Sequence, residues 1–423
     1  MNLTERDSQC LWHPYTQHKT AAPPVAIARG EGALLWDDQN KEYIDAIASW
    51  WVNPFGHSNR CIADAIYKQL TTLEHVLFGG FTHEPAILVA EKLLQILPDN
   101  QKKIFFSDNG STAVEVAIKV ALQYFYNLGK KRTTIIAFEN AFHGDTFAAM
   151  AASGISFYTQ AFQGMFIDVV RIPVPVKGEE QASFDALRER IKTNNCAGFI
   201  FEPLVQGAAG MVMYEPEALD QLIQICKENN VLTIADEVMT GFGKTGKTFA
   251  CDYIKEQPDM MCLSKALTGG TIPMAITTFT QELFDGFYSD DINKALFHGH
   301  TFTANPTGCA AALASMELLQ TQEMQENIAR VHRSHLDFQK KIQLHPKVTT
   351  TRVLGVIFAL EIKTEDHASY YGTLRNKLYD FFIENGVILR PVGNIVYILP
   401  PYIITEKQLQ KVYQVVEKAI EIA

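Results

Sequence analysis

The chain has little of what marks several large functional classes. It has no run of Lys or Arg longer than Lys130-Lys131-Arg132, and its net charge is −10. A nucleic-acid surface or an anionic-membrane surface is therefore not its main business. It has seven cysteines, an odd count, and no C-x-x-C pair. That excludes a disulfide framework or a thiolate zinc site as the organising principle and fits a reducing, cytoplasmic setting. No stretch approaches 18 uninterrupted apolar residues, so no membrane span is expected. The opening Met1-Asn2-Leu3-Thr4-Glu5-Arg6-Asp7 has neither the basic start nor the apolar stretch of a secretory leader. No G-x-G-x-x-G follows an early strand, which argues against a dinucleotide-binding dehydrogenase. Nothing repeats and no segment is of low complexity.

What is present is a large apolar interior. The 423 residues are 47% hydrophobic and 20% charged. A single core rarely grows past about 250–300 residues, so more than one domain is expected. From about residue 60 to 300, short apolar runs alternate with helical patterns. The runs are 103–106, 134–138, 197–201, 231–235 and 260–263. Between the runs 197–201 and 231–235, Leu219, Leu222, Ile223 and Cys226 form the stripe of an amphipathic helix over 216–230. This alternation predicts an α/β fold, with a mostly parallel sheet covered by helices on both faces. A hairpin is expected around 33–40. After about residue 305 the pattern becomes one long helical region, 308–343, then strands near 347–363 and 394–399, then a closing helix over 406–421. The expected division is an N-terminal segment, 1–55, that joins a small α+β domain, 308–423, and a large domain, 56–307.

Two residues carry the most chemical information. Asp236 closes the apolar run 231–235, and Lys265 closes the run 260–263 and opens Ala266-Leu267-Thr268-Gly269-Gly270. Ligands bind in parallel sheets outside the carboxyl ends of the strands. An acid and an amine delivered there suit the two poles of a pyridoxal phosphate ring. The lysine would form the Schiff base, and the aspartate would keep the ring nitrogen protonated. Ser107-Asp108-Asn109-Gly110-Ser111-Thr112 lies between a strand and a helix. Its turn and helix N-terminus suit a phosphate, and Thr112 with Glu115 has capping-box spacing. Phe142-His143-Gly144-Asp145 follows the strand 134–138 and offers a ring to stack on the cofactor. Glu202 ends the strand 197–201, where it reads equally as a substrate-ordering group and as a salt bridge.

His298-Gly299-His300-Thr301 looks like a metal-binding pair, but no further ligands follow at zinc-like spacing, so no metal is expected. A turn contacting phosphate is the better reading. Tyr15, Trp50, Trp51 and Tyr397 with Arg390 suit an amphipathic acid, since arginine holds a carboxylate bidentately and rings line an apolar chain. Each also reads as ordinary packing.

Together these segments resemble the class III aminotransferases, a branch of the fold-type I PLP enzymes. The resemblance runs from about residue 12 to 402. It is most specific in Asp236-Glu237-Val238, in Thr240-Gly241-Phe242-Gly243-Lys244-Thr245-Gly246 and in Ser264-Lys265-Ala266-Leu267-Thr268-Gly269-Gly270. The family implies a seven-stranded large-domain sheet, a ping-pong transamination and a homodimer with shared active sites. It implies Lys265 and Asp236 as catalytic, with His143 and the ring of Phe142 at the cofactor. Gly110 and Ser111 would bind phosphate from one subunit and Thr301 from the other. Within the family, Trp12-His13-Pro14-Tyr15, Ser49-Trp50-Trp51, 75–83 and Arg390 through Tyr402 resemble members that aminate 8-amino-7-oxononanoate in biotin biosynthesis. That likeness implies S-adenosylmethionine as donor, with lysine or another ω-amine as the alternative. It implies Tyr15, Trp50, Trp51, Phe142, Gly299, Arg390 and Tyr397 around the substrates. Phe142 stands where many members have Tyr, and His300 where some have Pro. A catalytically inactive binding protein on the same scaffold is the reading from another class, and an intact Lys265 and Asp236 count against it.

Overall fold

The computed structural model describes residues 1–154, 159–364 and 373–423. Its centre is a seven-stranded sheet: β1 Gln101–Ser107, β2 Thr134–Phe138, β3 Val169–Ile172, β4 Cys196–Phe201, β5 Leu232–Asp236, β6 Met260–Leu263 and β7 Ala275–Thr280. The spatial order is β1-β7-β6-β5-β4-β2-β3. Neighbours are parallel throughout except β7, which is antiparallel to both β6 and β1. The central strands are buried on both faces, which is why β2, β4 and β6 read as unbroken apolar runs. The ring pairs Phe138–Phe199 and Phe199–Phe201, with centroids 5.1 and 5.2 Å apart, fill one face.

Two strands are not evident from the sequence. β3 is a short edge strand broken chemically by Arg171, whose guanidinium donates to the carbonyls of Ala151 and Ser153 at 2.7 and 2.8 Å. β7 reads Ala-Ile-Thr-Thr-Phe-Thr. Its threonines are buried but satisfied, Thr277 donating to the Ala113 carbonyl at 2.9 Å and Thr278 to Gln101 Oε1 at 2.6 Å. Polar side chains with local partners hide a central strand from a hydrophobicity pattern.

The remaining sheets are smaller and mostly antiparallel. Ile27–Glu31, Leu34–Asp37 and Glu42–Asp45 form a meander, and Val387–Ile388 joins it in parallel with Ile44 and Asp45. The N-terminal segment is thus tied to the C-terminal part of the chain. A second sheet pairs Val348–Leu354, Ile357–Ile362 and Ile395–Ile398. The expected single helix over 308–343 is two helices, Pro306–Gln320 and Gln322–Ile342. Thr321 sits between them in extended conformation, its hydroxyl capping the second by accepting from the Met324 N–H at 3.3 Å. A threonine in a cap rather than in a helix interior is the cause of the break. The C-terminal helix Glu406–Ile422 buries Leu409, Val412, Tyr413, Val416 and Ile420. No helix among the described residues is long and apolar enough to cross a membrane.

Candidate active site

Every parallel strand that borders the site ends at the same edge of the sheet, and the site is assembled from residues just beyond those ends. Asp236 is the last residue of β5, paired with Cys262 of β6. Lys265 follows β6 by two residues, Glu202 follows β4 directly, and Phe142 and His143 lie just past β2. Gly110 and Ser111 open the helix Gly110–Asn127 after β1. These residues line one cavity of about 450 Å³, together with Trp51, Val52, Gly144, Val238, Ser264 and Thr268.

The Asp236 carboxylate is buried and held from two sides. Its Oδ2 is 2.7 Å from His143 Nδ1, and its Oδ1 accepts from the Val238 N–H at 3.1 Å. A carboxylate has about four acceptor positions, so capacity remains for another donor. His143 Nε2 is buried with no partner among the described residues. Lys265 adopts a left-handed backbone, φ +49°, which is uncommon for a residue with a Cβ and marks a functional constraint. Desolvation draws its amine down to about 8, while the negative charges of Asp236 and Glu202 pull the other way. An amine in that range is a usable base near neutral pH.

Glu202 is buried, and burial pushes it up to about 7. The positive side of His143 and the N–H groups of Phe142 and Gly207, at 3.0 and 2.9 Å, oppose that rise, and the charge on Asp236 adds to it. Glu237 and Lys244 are also fully buried beside the site. Burial drives the acid up to about 7 and, with the charge of Lys265, the amine down to about 7.

The turn before the helix Gly110–Asn127 is built tightly. A Cβ on Gly110 would lie 2.6 Å from Val238 Cγ1, and one on Gly144 would lie 2.2 Å from Ser111 Oγ. Ser111 Oγ lies 2.8 Å from Thr146 Oγ1 and accepts from the Thr146 N–H at 3.0 Å. The capping box is formed by Asn109 and Thr112, not by Thr112 and Glu115. Glu115 instead accepts from the N–H groups of Ala148 and Ala149 at 2.7 and 3.2 Å. The helix therefore begins one turn closer to the cavity, with its first N–H groups at the site and lacking intrahelical acceptors.

The aromatic residues form two contacting groups, and of Tyr15, Trp50, Trp51, Arg390 and Tyr397 it is Trp51 that lines the cavity. Arg390 lies 4.5 Å from the Trp50 ring centroid, Trp50 meets Tyr15 edge-on at 5.7 Å, and the Tyr15 hydroxyl donates to Asp145. Trp51 meets Tyr397 edge-on at 5.8 Å. Arg390 makes no ion pair with any described residue. The turn presenting both tryptophans was not visible in the sequence. Ala48, Ser49, Trp50 and Trp51 all have φ between +45° and +72°. Such a left-handed stretch costs about 1–2 kcal/mol per residue, and a buried carboxylate offsets it. Asp45 accepts from the Ile47 N–H, the Ser49 N–H and the Ser49 hydroxyl at 3.2, 2.8 and 2.9 Å, and bonds His57 Nε2 at 2.9 Å.

Gly299 and Thr301 are not brought to this cavity. They lie in an exposed turn, 298–304, packed on the segment 74–83 through His83 to the Ala304 carbonyl at 2.8 Å and Asn305 to the Glu74 carbonyl at 3.3 Å. Phe81, Phe297 and Phe302 are exposed around it by 59%, 69% and 60%.

A buried acid and a buried amine lining one cavity at the strand ends of such a sheet, beside a helix N-terminus, fit a pyridoxal phosphate enzyme. The chain belongs to the class III aminotransferases: the family model for aminotransferase class III matches residues 15–420. It is 43% identical to the adenosylmethionine-8-amino-7-oxononanoate aminotransferase of Synechococcus elongatus, over 97% of this chain and 98% of that protein. It is 32% identical to the enzyme of the same name from Staphylococcus aureus, over 99% and 97%. The crystal structure of that enzyme from Methanocaldococcus jannaschii superposes with a TM-score of 0.94 at 34% identity, covering 100% of this chain and 99% of that one. The omega transaminase of Pseudomonas jessenii, solved in complex with PMP, gives 0.92 at 30% identity, covering 100% and 98%.

Proposed function

We propose that this aminotransferase converts 8-amino-7-oxononanoate to 7,8-diaminononanoate, a step of biotin biosynthesis, with S-adenosylmethionine as amino donor and pyridoxal 5′-phosphate as cofactor. The observation that carries the cofactor reading is the buried Asp236, which keeps acceptor capacity opposite an amine drawn down to about 8. Asp236 would hold the ring nitrogen, Lys265 the aldehyde carbon, and the N–H groups at Gly110 and Ser111 the phosphate. Phe142 and His143 would flank the ring. Bound there, the ring supplies an electron sink for the carbon that carries the transferred amine.

The residues then have distinct tasks. Nζ of Lys265 takes the proton from the amine-bearing carbon of the donor and later returns a proton to the carbon of the acceptor. Asp236, as a carboxylate, holds positive charge at the ring nitrogen through a charge-assisted bond. His143 orients Asp236 through its Nδ1, 2.7 Å from Oδ2. Arg390, which makes no ion pair with any described residue, takes the carboxylate of the acceptor, while Tyr15, Trp50, Trp51 and Tyr397 line its alkyl chain. Phe142 has no hydroxyl to offer the donor, which favours lysine as the second reading. Thr301 completes the phosphate site of a partner subunit and Gly299 lies by the substrates, a reading supported by the exposed phenylalanines around their turn.

A donor screen tests the assignment. With 8-amino-7-oxononanoate as acceptor, S-adenosylmethionine should yield the diamine by mass spectrometry. If lysine does so and S-adenosylmethionine does not, the donor is wrong and the acceptor stands. If neither does, the substrate assignment falls.

A further inference from the structure

One ring beside Lys265 has no task in the chemistry above beyond lining the cavity. Lys265 Nζ lies over the face of Trp51, 4.7 Å from its ring centroid. Trp51 is 6% exposed, and its indole Nε1 is buried with no acceptor among the described residues. The ring is clamped from several directions. Tyr397 meets it edge-on, and a Cβ on Gly207 would come within 3.2 Å of two of its ring carbons. Its backbone is fixed at φ +72° by the turn that Asp45 holds. Gly270, five residues past Lys265, lies so close to Val52, the residue after Trp51, that a Cβ would approach the Val52 carbonyl oxygen to 2.7 Å. The segment carrying the amine and the segment carrying the ring are therefore packed backbone to backbone.

An ammonium over an aromatic face is attracted by the ring quadrupole, and more strongly where water is excluded. We propose that Trp51 is a positioning residue for Lys265, its indole face seating the amine whenever that amine is not bonded to the cofactor. The proposal rests on Lys265 being the residue that carries the cofactor. A lysine released on a four-carbon stem has many rotamers, and fixing them costs entropy. A seat a few ångströms from the strand end keeps the amine within reach of the reacting carbon. Because the seat favours the ammonium, it also opposes the desolvation that lowers the pKa of this amine.

Fluorinated tryptophan tests the seat without changing its shape. The chain has four tryptophans, Trp12, Trp36, Trp50 and Trp51, and among them Trp51 is the one over which Lys265 lies. The full-length apoenzyme is prepared with tryptophan bearing successively more fluorine. Acetylation of Lys265 is followed by mass spectrometry across pH. The inflection should fall stepwise, by about half a unit to one and a half units over the series, as the quadrupole is drained. In Trp51→Phe protein carrying the same fluorinated residues elsewhere, the dependence should vanish. An inflection that stays constant or rises across the series overturns the proposal, and so does a dependence that persists in Trp51→Phe. Borohydride reduction of the holoenzyme separates the two claims. A cofactor label on another lysine removes the reading of Lys265 itself, whereas a label on Lys265 with a fluorine-insensitive inflection removes the seat alone.

Discussion

At the residue scale, the site depends on charges whose surroundings differ. Asp236 keeps two hydrogen bonds and room for a third, so its value lies in charge rather than shape. Asp236→Asn should fold normally and lose on the order of a hundredfold or more in kcat, the size of loss typical when a preorganised electrostatic contact is removed. A variant with near-normal kcat in steady-state assays would show that another group holds the ring nitrogen. Arg390 is proposed to hold the substrate away from the reacting carbon, so its loss should act differently. A hydrogen bond to a charged group contributes about 1.5–3 kcal/mol, so Arg390→Ala should raise KM for 8-amino-7-oxononanoate by roughly 10- to 100-fold. Its kcat should change little, and a loss confined to kcat would contradict the role.

At the scale of elements, the sheet and the active-site pair were legible for the same reason. β5 and β6 are buried on both faces, so they read as apolar runs, and a charged residue closing such a run has to mark the strand end. The strands β3 and β7 were not legible because Arg171, Thr277 and Thr278 satisfy their polar groups locally. The left-handed turn 48–51 was not legible either. Nothing in Ala-Ser-Trp-Trp predicts positive φ, since the cause is a buried carboxylate three residues earlier whose partners include His57. Thr301 was singled out only as part of a motif, and its own chain does not bring it to the cavity.

The turn gives a test. Asp45 accepts from the Ile47 N–H at Oδ1 and from the Ser49 N–H and hydroxyl at Oδ2, which also bonds His57, and Asp45→Ala removes both oxygens. The variant should lose about 3–5 kcal/mol in urea unfolding, the range for breaking a buried charged network. It should also lose near-UV dichroism from Trp50 and Trp51. An unchanged midpoint and spectrum would mean that the turn is held by other contacts.

At the scale of the whole molecule, stability and assembly can be separated. His335, on the helix Gln322–Ile342, is buried between the Tyr413 hydroxyl at 2.7 Å and the Val356 carbonyl at 3.0 Å, and burial lowers it to about 3. Its folded value is depressed, so between pH 6.5 and 3 the unfolded state binds more protons and stability falls as pH falls. At pH 5 this single group accounts for about 2 kcal/mol. Urea midpoints at pH 7.5 and 5.0 should therefore differ less in His335→Asn than in the wild type, even though the variant is weaker at both. Equal differences would assign the acid sensitivity elsewhere. Assembly is tested by mixing two inactive chains, Lys265→Ala and Thr301→Glu. About half of randomly re-formed dimers are mixed and each carries one intact site, so about a quarter of wild-type activity should return. No recovery despite proven exchange would place Thr301 outside the partner's site.

The central claim is that one amine, at the end of β6, carries the cofactor. The most direct measurement is borohydride reduction of the enzyme with bound pyridoxal phosphate, followed by peptide mapping by mass spectrometry. The account predicts the reduced cofactor on Lys265, and none on Lys244 although that amine is buried nearby and also drawn down to about 7. A label on Lys244 or on any other lysine, with Lys265 unmodified, would contradict it.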